Sequence, residues 1–277
     1  MKQRILSALL MTPVAIALIL LVPTPWFIAL VAVVLAVGLW EWFTLSAVTD
    51  TLSRSLLVAA NLAVMTAMVW SSRTDAGNST ALFELFVLFA AIWWVVSPLW
   101  LRFRHIGTNH HSWARVGKLL VGSIATLGAW AAMAWIHGSE PMGPQWLLAA
   151  LVSVWSADSG AYFAGKYLGK RKLAPNISPN KTIEGLIGGL VACIAVGLLF
   201  ALFAGMTAAQ VPKVALALLI AGAYSVIGDL VESLLKRQIG AKDSGNVIPG
   251  HGGVLDRVDG VLAAMPIFAL CKALLGF

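Results

Sequence analysis

The sequence predicts an all-α polytopic membrane protein of about nine transmembrane helices, with its N-terminus in the cytoplasm. Three observations predict this. Of 277 residues, 60% are hydrophobic and only 11% charged, whereas average soluble domains carry about 25% charged residues. Apolar runs long enough to cross roughly 30 Å of hydrocarbon recur along the whole chain. Numbered from a cytoplasmic N-terminus, these runs leave only Arg73, Lys213 and Lys272 of the 19 basic residues outside the cytoplasmic loops and helix ends, the asymmetry that the positive-inside rule demands.

The expected spans are Ile5–Val22, Trp26–Leu45, Ser55–Trp70, Thr80–Leu101, Leu119–Ile136, Gln145–Ala164, Ile183–Ala204, Val214–Leu235 and Val258–Leu275. The first has the basic start and apolar body of a signal peptide. It runs into "PTPWF" without a small-x-small cleavage site, so it reads as a retained span. The third is short, and the sixth contains Asp158. Residues 1–140 form an N-terminal group of five spans, and 141–277 a second group carrying the polar loops. Cys193 and Cys271 fall within apolar runs and read as small buried hydrophobes. The formal net charge of +7 suits loops that face anionic lipid and an anionic substrate, and it calls for no nucleic-acid partner.

Only 12 acidic residues exist, so their placement is informative. Asp158, Glu184, Asp229, Glu232, Asp243, Asp256 and Asp259 converge on the cytoplasmic edge. Asp229 lies roughly 27 Å along the eighth span at about 1.5 Å per residue. An acid at a bilayer edge can simply be solvated, but this many on one side point to a built site. Asp229, Glu232, Ser233 and Lys236 stand at i, i+3, i+4 and i+7, one stripe of one helix. Carboxylates, a hydroxyl and an ammonium on one stripe suit Mg²⁺ and a phosphate. A plain Glu232–Lys236 helix pair would not account for Asp229.

Two polar loops flank this stripe. "KDSGNVIPGHGGVLDR" joins the eighth and ninth spans, and its Gly245, Gly250, Gly252, Gly253 and Pro249 permit a tight backbone that brings N–H groups to an anion. Lys242 and Arg257 add positive charge there, and His251 reads as a phosphate, base or packing contact. "GKYLGKRKLAPNISPNKTIEG" follows the sixth span. Its Lys170, Arg171 and Lys172 read as ordinary inside-loop charge, while Lys181 directly precedes a helix N-terminus that also favours anions. Together the loops suit a water-borne nucleotide while the spans hold a lipid.

"SLLKRQIGAKDSGNVIPGHGGVLDRVD", Ser233 to Asp259, resembles the signature of the phosphatidate cytidylyltransferase (CDP-diacylglycerol synthase) family, and "ADSGAYFAGKYLGKRKLAPNISPNKTIEG" resembles a second block of it. The early "WEWFTL" and the multiple spans also fit. Asn180 departs from the pattern, which has a second lysine before Lys181. The resemblance implies CTP and phosphatidic acid as substrates, CDP-diacylglycerol and pyrophosphate as products, a homodimer, and a two-cation centre of Mg²⁺ with room for a monovalent ion such as K⁺. Carried over residue by residue, it makes Asp229 and Asp256 the metal ligands. Lys236, Arg237, Lys242 and Arg257 then balance charge on the reacting groups. Nothing else is carried over: from position and charge alone, Asp158, Lys181, Glu184, Glu232, Ser233, Asp243, His251, Gly252, Gly253 and Asp259 are candidate substrate contacts. The site would face the cytoplasm from the inner membrane.

A CDP-alcohol phosphotransferase is excluded because "DGVLAAM" places Ala264 where that signature needs arginine. A CTP-dependent lipid kinase remains a close alternative. An ion-coupled transporter would instead place its acids at the bilayer midplane, between inverted repeats. Gly185, Gly188 and Gly189 in the seventh span allow close helix contact, in a dimer or within one chain.

Overall fold

The computed structural model describes residues 2–74, 77–108, 112–247 and 252–277. The helices are α1 Lys2–Leu21, α2 Thr24–Leu45, α3 Thr51–Ser72, α4 Ala81–Arg102, α5 Ser112–His137, α6 Gly143–Leu168, α7 Ile183–Phe203, α8 Val211–Gln238 and α9 Leu255–Leu275. Two short antiparallel hairpins interrupt them, β1 Arg73–Thr74 with β2 Gly77–Asn78, and β3 Lys172–Ala174 with β4 Ser178–Thr182. Among the described residues, the eight helices α2 to α9 are each long and apolar enough to cross a bilayer, and Thr12–Leu21 is the apolar part of α1. Lipid leaves no other choice, because a helix satisfies its backbone hydrogen bonds within its own segment. Exposed Trp26, Val33, Ile92, Val95, Val191 and Leu202 show apolar faces turned outward. The chain is an all-α polytopic membrane protein.

Helix ends follow local chemistry. The short third span becomes a full helix because Asp50 caps it, its carboxylate accepting from the Ser53 backbone N–H at 2.7 Å and hydroxyl at 2.6 Å. The helix therefore starts in polar residues ahead of the apolar run. Prolines stand at the first turns of α2, α6 and α8, where no backbone donor is missed. Thr182 caps α7 by accepting from Gly185 N at 3.0 Å. The loop ahead of α7 is not irregular, as β3 and β4 pair Lys172 with Thr182 and Ala174 with Ser178.

The core centres on α5, which packs against α2, α4 and α9. Its buried polar groups are matched across helices. The Trp42 indole donates to the Lys118 carbonyl at 2.9 Å, and the His137 ring, stacked on Phe27, bonds Thr24 Oγ1 and the Ile19 carbonyl.

α6 and α7 form the tightest pair. A Cβ on Gly160 would sit 2.6 Å from Ala192 Cβ, and one on Gly189 2.8 Å from the Ala157 carbonyl. Gly188 faces Ala164 more closely still. The glycine stripe of the seventh span thus serves internal packing, because only bare backbone lets these helices approach so far. Gly188→Leu is expected to cost about 1–3 kcal/mol through overpacking, read as a lowered unfolding temperature in detergent.

One end of the bundle gathers the polar segments. The end of α8 reaches the segment after α4, with Gln238 Nε2 donating to the Arg104 and Ile106 carbonyls. Arg237 Nε donates to the Ile177 carbonyl in the β3–β4 turn. The start of α9 meets α8 through Lys236 and Asp256.

Candidate active site

α8 supplies the stripe that its spacing promised. Ser233 Oγ donates to Asp229 Oδ1 at 3.2 Å, and Lys236 Nζ donates to Glu232 Oε2 at 2.7 Å. What the spacing does not reveal is which neighbours complete it. Gly228 has no side chain, and the α9 backbone at Asp259 packs against it, closer than a Cβ would allow. That crossing brings Asp259 alongside Asp229 and Glu232, with one carboxylate oxygen of each lying within 4.8 Å of the others. Asp259 Oδ1 also accepts from Gly260 N at 2.7 Å.

The β3–β4 hairpin provides the facing cation. Ile177 packs with Leu230 and Leu234 of α8, and Arg237 holds the turn. Lys181, on β4, then reaches Asp229 Oδ2 at 2.5 Å. Asp158 of α6 lies in electrostatic range of Asp229, Asp259, Lys181 and Arg257.

Lys236 is shared. Its ammonium contacts both Glu232 Oε2 and Asp256 Oδ1 at 2.7 Å. The other Asp256 oxygen accepts from Ser244 N at 3.0 Å, Ser244 Oγ at 2.9 Å and Gly253 N at 2.8 Å. Asp256 is therefore the knot that ties the loop after α8 to the start of α9. Gly252 has φ +83°, and a Cβ there would lie 2.7 Å from Asp256 Oδ2, so the loop needs glycine for both backbone shape and space.

Glu41 of α2 completes the knot from the other half of the chain. Only 3% exposed, it accepts from Val254 N at 3.1 Å and Leu255 N at 2.7 Å, and lies 2.9 Å from the Ser244 hydroxyl, whose single proton it shares with Asp256. It does from a distant helix what a capping side chain does locally: it satisfies the free donors at the start of α9. Sequence reasoning assigned Glu41 no role beyond its place in "WEWFTL". Its one signal was a carboxylate inside a wholly apolar span.

The sequence paired Asp229 with Asp256. In the structure the carboxylates at ligand distance from Asp229 are those of Glu232 and Asp259, and Asp256 connects to them through Lys236. Glu184 clasps its own loop, accepting from Lys170 N, Arg171 N and Arg171 Nε. Arg237 is bonded to the hairpin, while Lys242, Asp243 and Arg257 are exposed around the loop. The described glycine-loop N–H groups bond internal carboxylates, Gly253 to Asp256 and Val254 to Glu41. His251, Pro249 and Gly250 lie outside the described residues.

The arrangement fits a hard cation. Five carboxylates, of Asp158, Asp229, Glu232, Asp256 and Asp259, gather with Lys181, Lys236 and Arg257 as the cations in electrostatic contact with them among the described residues. Glu232 Oε1 is buried and, among the described residues, has no hydrogen-bond donor. An excess of oxygen ligands around an unmatched buried acceptor suits a divalent ion that also binds phosphate.

The model of the cytidylyltransferase family matches residues 2–275. The chain belongs to the cytidylyltransferase family. It is similar to a phosphatidate cytidylyltransferase of Pseudomonas aeruginosa, 37% identical over 276 residues that cover 97% of this chain and 96% of the relative. One of Haemophilus influenzae is 36% identical over 288 residues, covering 97% of each. A Bacillus subtilis relative of the same description is 48% identical over 141 residues, about half of each chain. The family match takes in the α2 segment that carries Glu41 as well as the polar loops of this cytidylyltransferase.

Proposed function

We propose that the protein transfers the cytidylyl group of CTP to phosphatidic acid, giving CDP-diacylglycerol and pyrophosphate. The observation that carries this reading is the carboxylate cluster of Asp229, Glu232 and Asp259, flanked by Lys181 and Lys236 at a polar end of a membrane bundle. A phosphate oxygen of the lipid forms the new bond to the α-phosphorus of CTP. The bond from that phosphorus to the β-phosphate bridging oxygen breaks, and pyrophosphate leaves with its electron pair. A phosphate monoester, with a second pKa near ~6, is already largely dianionic at neutral pH, so no strong base is needed. Two anions that repel must instead be neutralised and held in line.

Lys181 and Lys236 are placed to do this, with Arg237, Lys242 and Arg257 around the rim. Mg²⁺, when bound, would neutralise phosphate oxygens and the charge that develops on the leaving group. Asp229 is its ligand in either arrangement the residues allow. Its partners are Glu232 and Asp259, its neighbours here, or Asp256, once Lys236 turns its ammonium from that carboxylate to a phosphate. A second, monovalent ion such as K⁺ suits the remaining carboxylates. Ser233 steadies Asp229 by donating to it, Asp158 adds a further carboxylate that a cation would have to balance, and the catalytic half, residues 141–277, borrows Glu41 from the first.

The excess of basic residues on one side supports a cytoplasmic N-terminus and a site facing the cytoplasm from the inner membrane. The homodimer rests on the family resemblance, because α6–α7 packing already occupies the glycine stripe.

The test is an assay of purified protein with phosphatidic acid and CTP labelled at either the α- or the γ-phosphorus. Label from the α position is expected in lipid, and label from the γ position in pyrophosphate. Lipid labelled from the γ position would make the protein a kinase and overturn the reading.

A further inference from the structure

Lys118 plays no part in the carboxylate site. It stands near the start of α5, and its side chain is only 3% exposed. Lysines near span ends usually extend to the membrane surface and keep the ammonium in water. This one does not, and among the described residues its Nζ has no hydrogen-bond partner. A buried ammonium without a counter-charge is costly enough that native structures rarely leave one unmatched.

Lys118 is one of the residues lining a cavity of about 350 Å³ between the end of α4 and the start of α5, with its ammonium buried just behind the wall. Trp93, Trp100, Phe103 and Trp113 supply aromatic walls. The indole N–H of Trp93 is a second buried donor without an acceptor among the described residues. The roof is built rather than loose. Trp100 Nε1 donates to the Ile106 carbonyl at 3.0 Å, and Gln238 of α8 donates to the same carbonyl at 3.1 Å. Gly107 closes over the ammonium, since a Cβ there would lie 2.9 Å from Lys118 Cε.

Two unmatched donors ask for an anion, and an apolar wall asks for hydrocarbon. A molecule that offers both is an anionic amphiphile. The cavity also sits at the correct depth. Trp113, 86% exposed, opens the α5 span, and tryptophans of this kind mark the headgroup level. We propose that this cavity is an accessory site for one anionic phospholipid of the surrounding bilayer, with its phosphate on Lys118 and the start of an acyl chain against the tryptophans. It is lined by α4, α5 and the segment between them, not by the helices of the carboxylate cluster, and does not depend on the reaction proposed there.

The experiment compares retention of phosphatidylglycerol and phosphatidylcholine of matched chains on the purified full-length protein, read by native mass spectrometry. The wild type is expected to keep one phosphatidylglycerol, about tenfold in preference to phosphatidylcholine. Lys118→Met, which keeps the stem and removes the charge, is expected to lose that preference. Gly117→Leu is the second variant. Its added side chain enters open space on the cavity wall, where a Cβ meets nothing within 4 Å. It should lose retention with Lys118 intact, and it carries the test alone if Lys118→Met does not fold. Equal retention by wild type and the folded variants overturns the proposal, as does a wild type without preference. Competition by millimolar inorganic phosphate would make this a small-anion site and overturn the lipid assignment. A tenfold rise in KM for phosphatidic acid in Lys118→Met, measured in micelles without phosphatidylglycerol, would make it the substrate's own pocket and overturn the accessory role. The expected KM is unchanged.

Discussion

Asp229→Asn is expected to reduce CDP-lipid formation by about a thousandfold or more, several kcal/mol of transition-state stabilisation, while the protein stays folded and membrane-inserted. Asp229 touches three kinds of partner at once: the Lys181 ammonium, the Ser233 hydroxyl, and the Glu232 and Asp259 carboxylates at metal-ligand distance. The amide keeps the shape but removes the charge, so Lys181 loses its counter-ion and a divalent cation loses a ligand. Folding should survive, because the side chain is 34% exposed and sits in a cleft that water can enter. A second readout separates metal loss from other damage. An ion that binds the folded state at 100 times its Kd stabilises it by about 2.7 kcal/mol. Added Mg²⁺ should therefore raise the unfolding temperature of the wild type and not of the variant. Wild-type turnover in purified Asp229→Asn would remove the metal assignment.

Glu41→Gln should be nearly as damaging, from a residue that belongs to the other half of the chain. The carboxylate has two acceptor oxygens and receives two backbone donors, from Val254 and Leu255, beside a Ser244 hydroxyl whose proton it shares with Asp256. Glutamine has one oxygen, and its NH₂ would face backbone N–H groups that are also donors. Each buried donor left unmatched costs about 1–3 kcal/mol. The strain falls on the loop that holds Asp256, and through Asp256 on Lys236. The expected result is a fall in kcat/KM of about tenfold to a hundredfold, with faster amide exchange at Gly253, Val254 and Leu255. That exchange change is what a distant, merely stabilising residue would not produce. Unchanged exchange and full activity would show that the knot is dispensable.

These two residues differ in how readable they were. Asp229 could be found because its partners Glu232, Ser233 and Lys236 lie on the same helix, where a 3.6-residue period places them without further information. Lys236 was legible for the same reason. Glu41 was not, because its partners are some 200 positions away in the chain (|i−j| is 214 for Leu255) and no periodicity spans such a distance. Asp259 and Asp256 stand three apart at the start of one helix, and from sequence either could have faced Asp229. The close crossing at Gly228 turns Asp259 toward the cluster and leaves Asp256 to the loop. The polar stretch after α6 read as a charged connector. Its hairpin depends on Ile177 docking against Leu230 and Leu234, a contact between segments that carry no mutual signal in sequence.

By itself the sequence determined the helical membrane fold, nine apolar helical segments of which eight, α2 to α9, are long enough to cross a bilayer, and the end of the bundle where polar chemistry gathers. Those follow from length, hydropathy and charge, because a lipid solvent forces every apolar run to satisfy its own backbone within one helix. Only the tertiary structure decided which carboxylates share a cleft, which of them fasten a loop, and which lysine stays buried without a partner among the described residues. Such pairings depend on how helices rotate and how closely they cross, and a bare glycine at one crossing shifts them without altering the pattern of the chain.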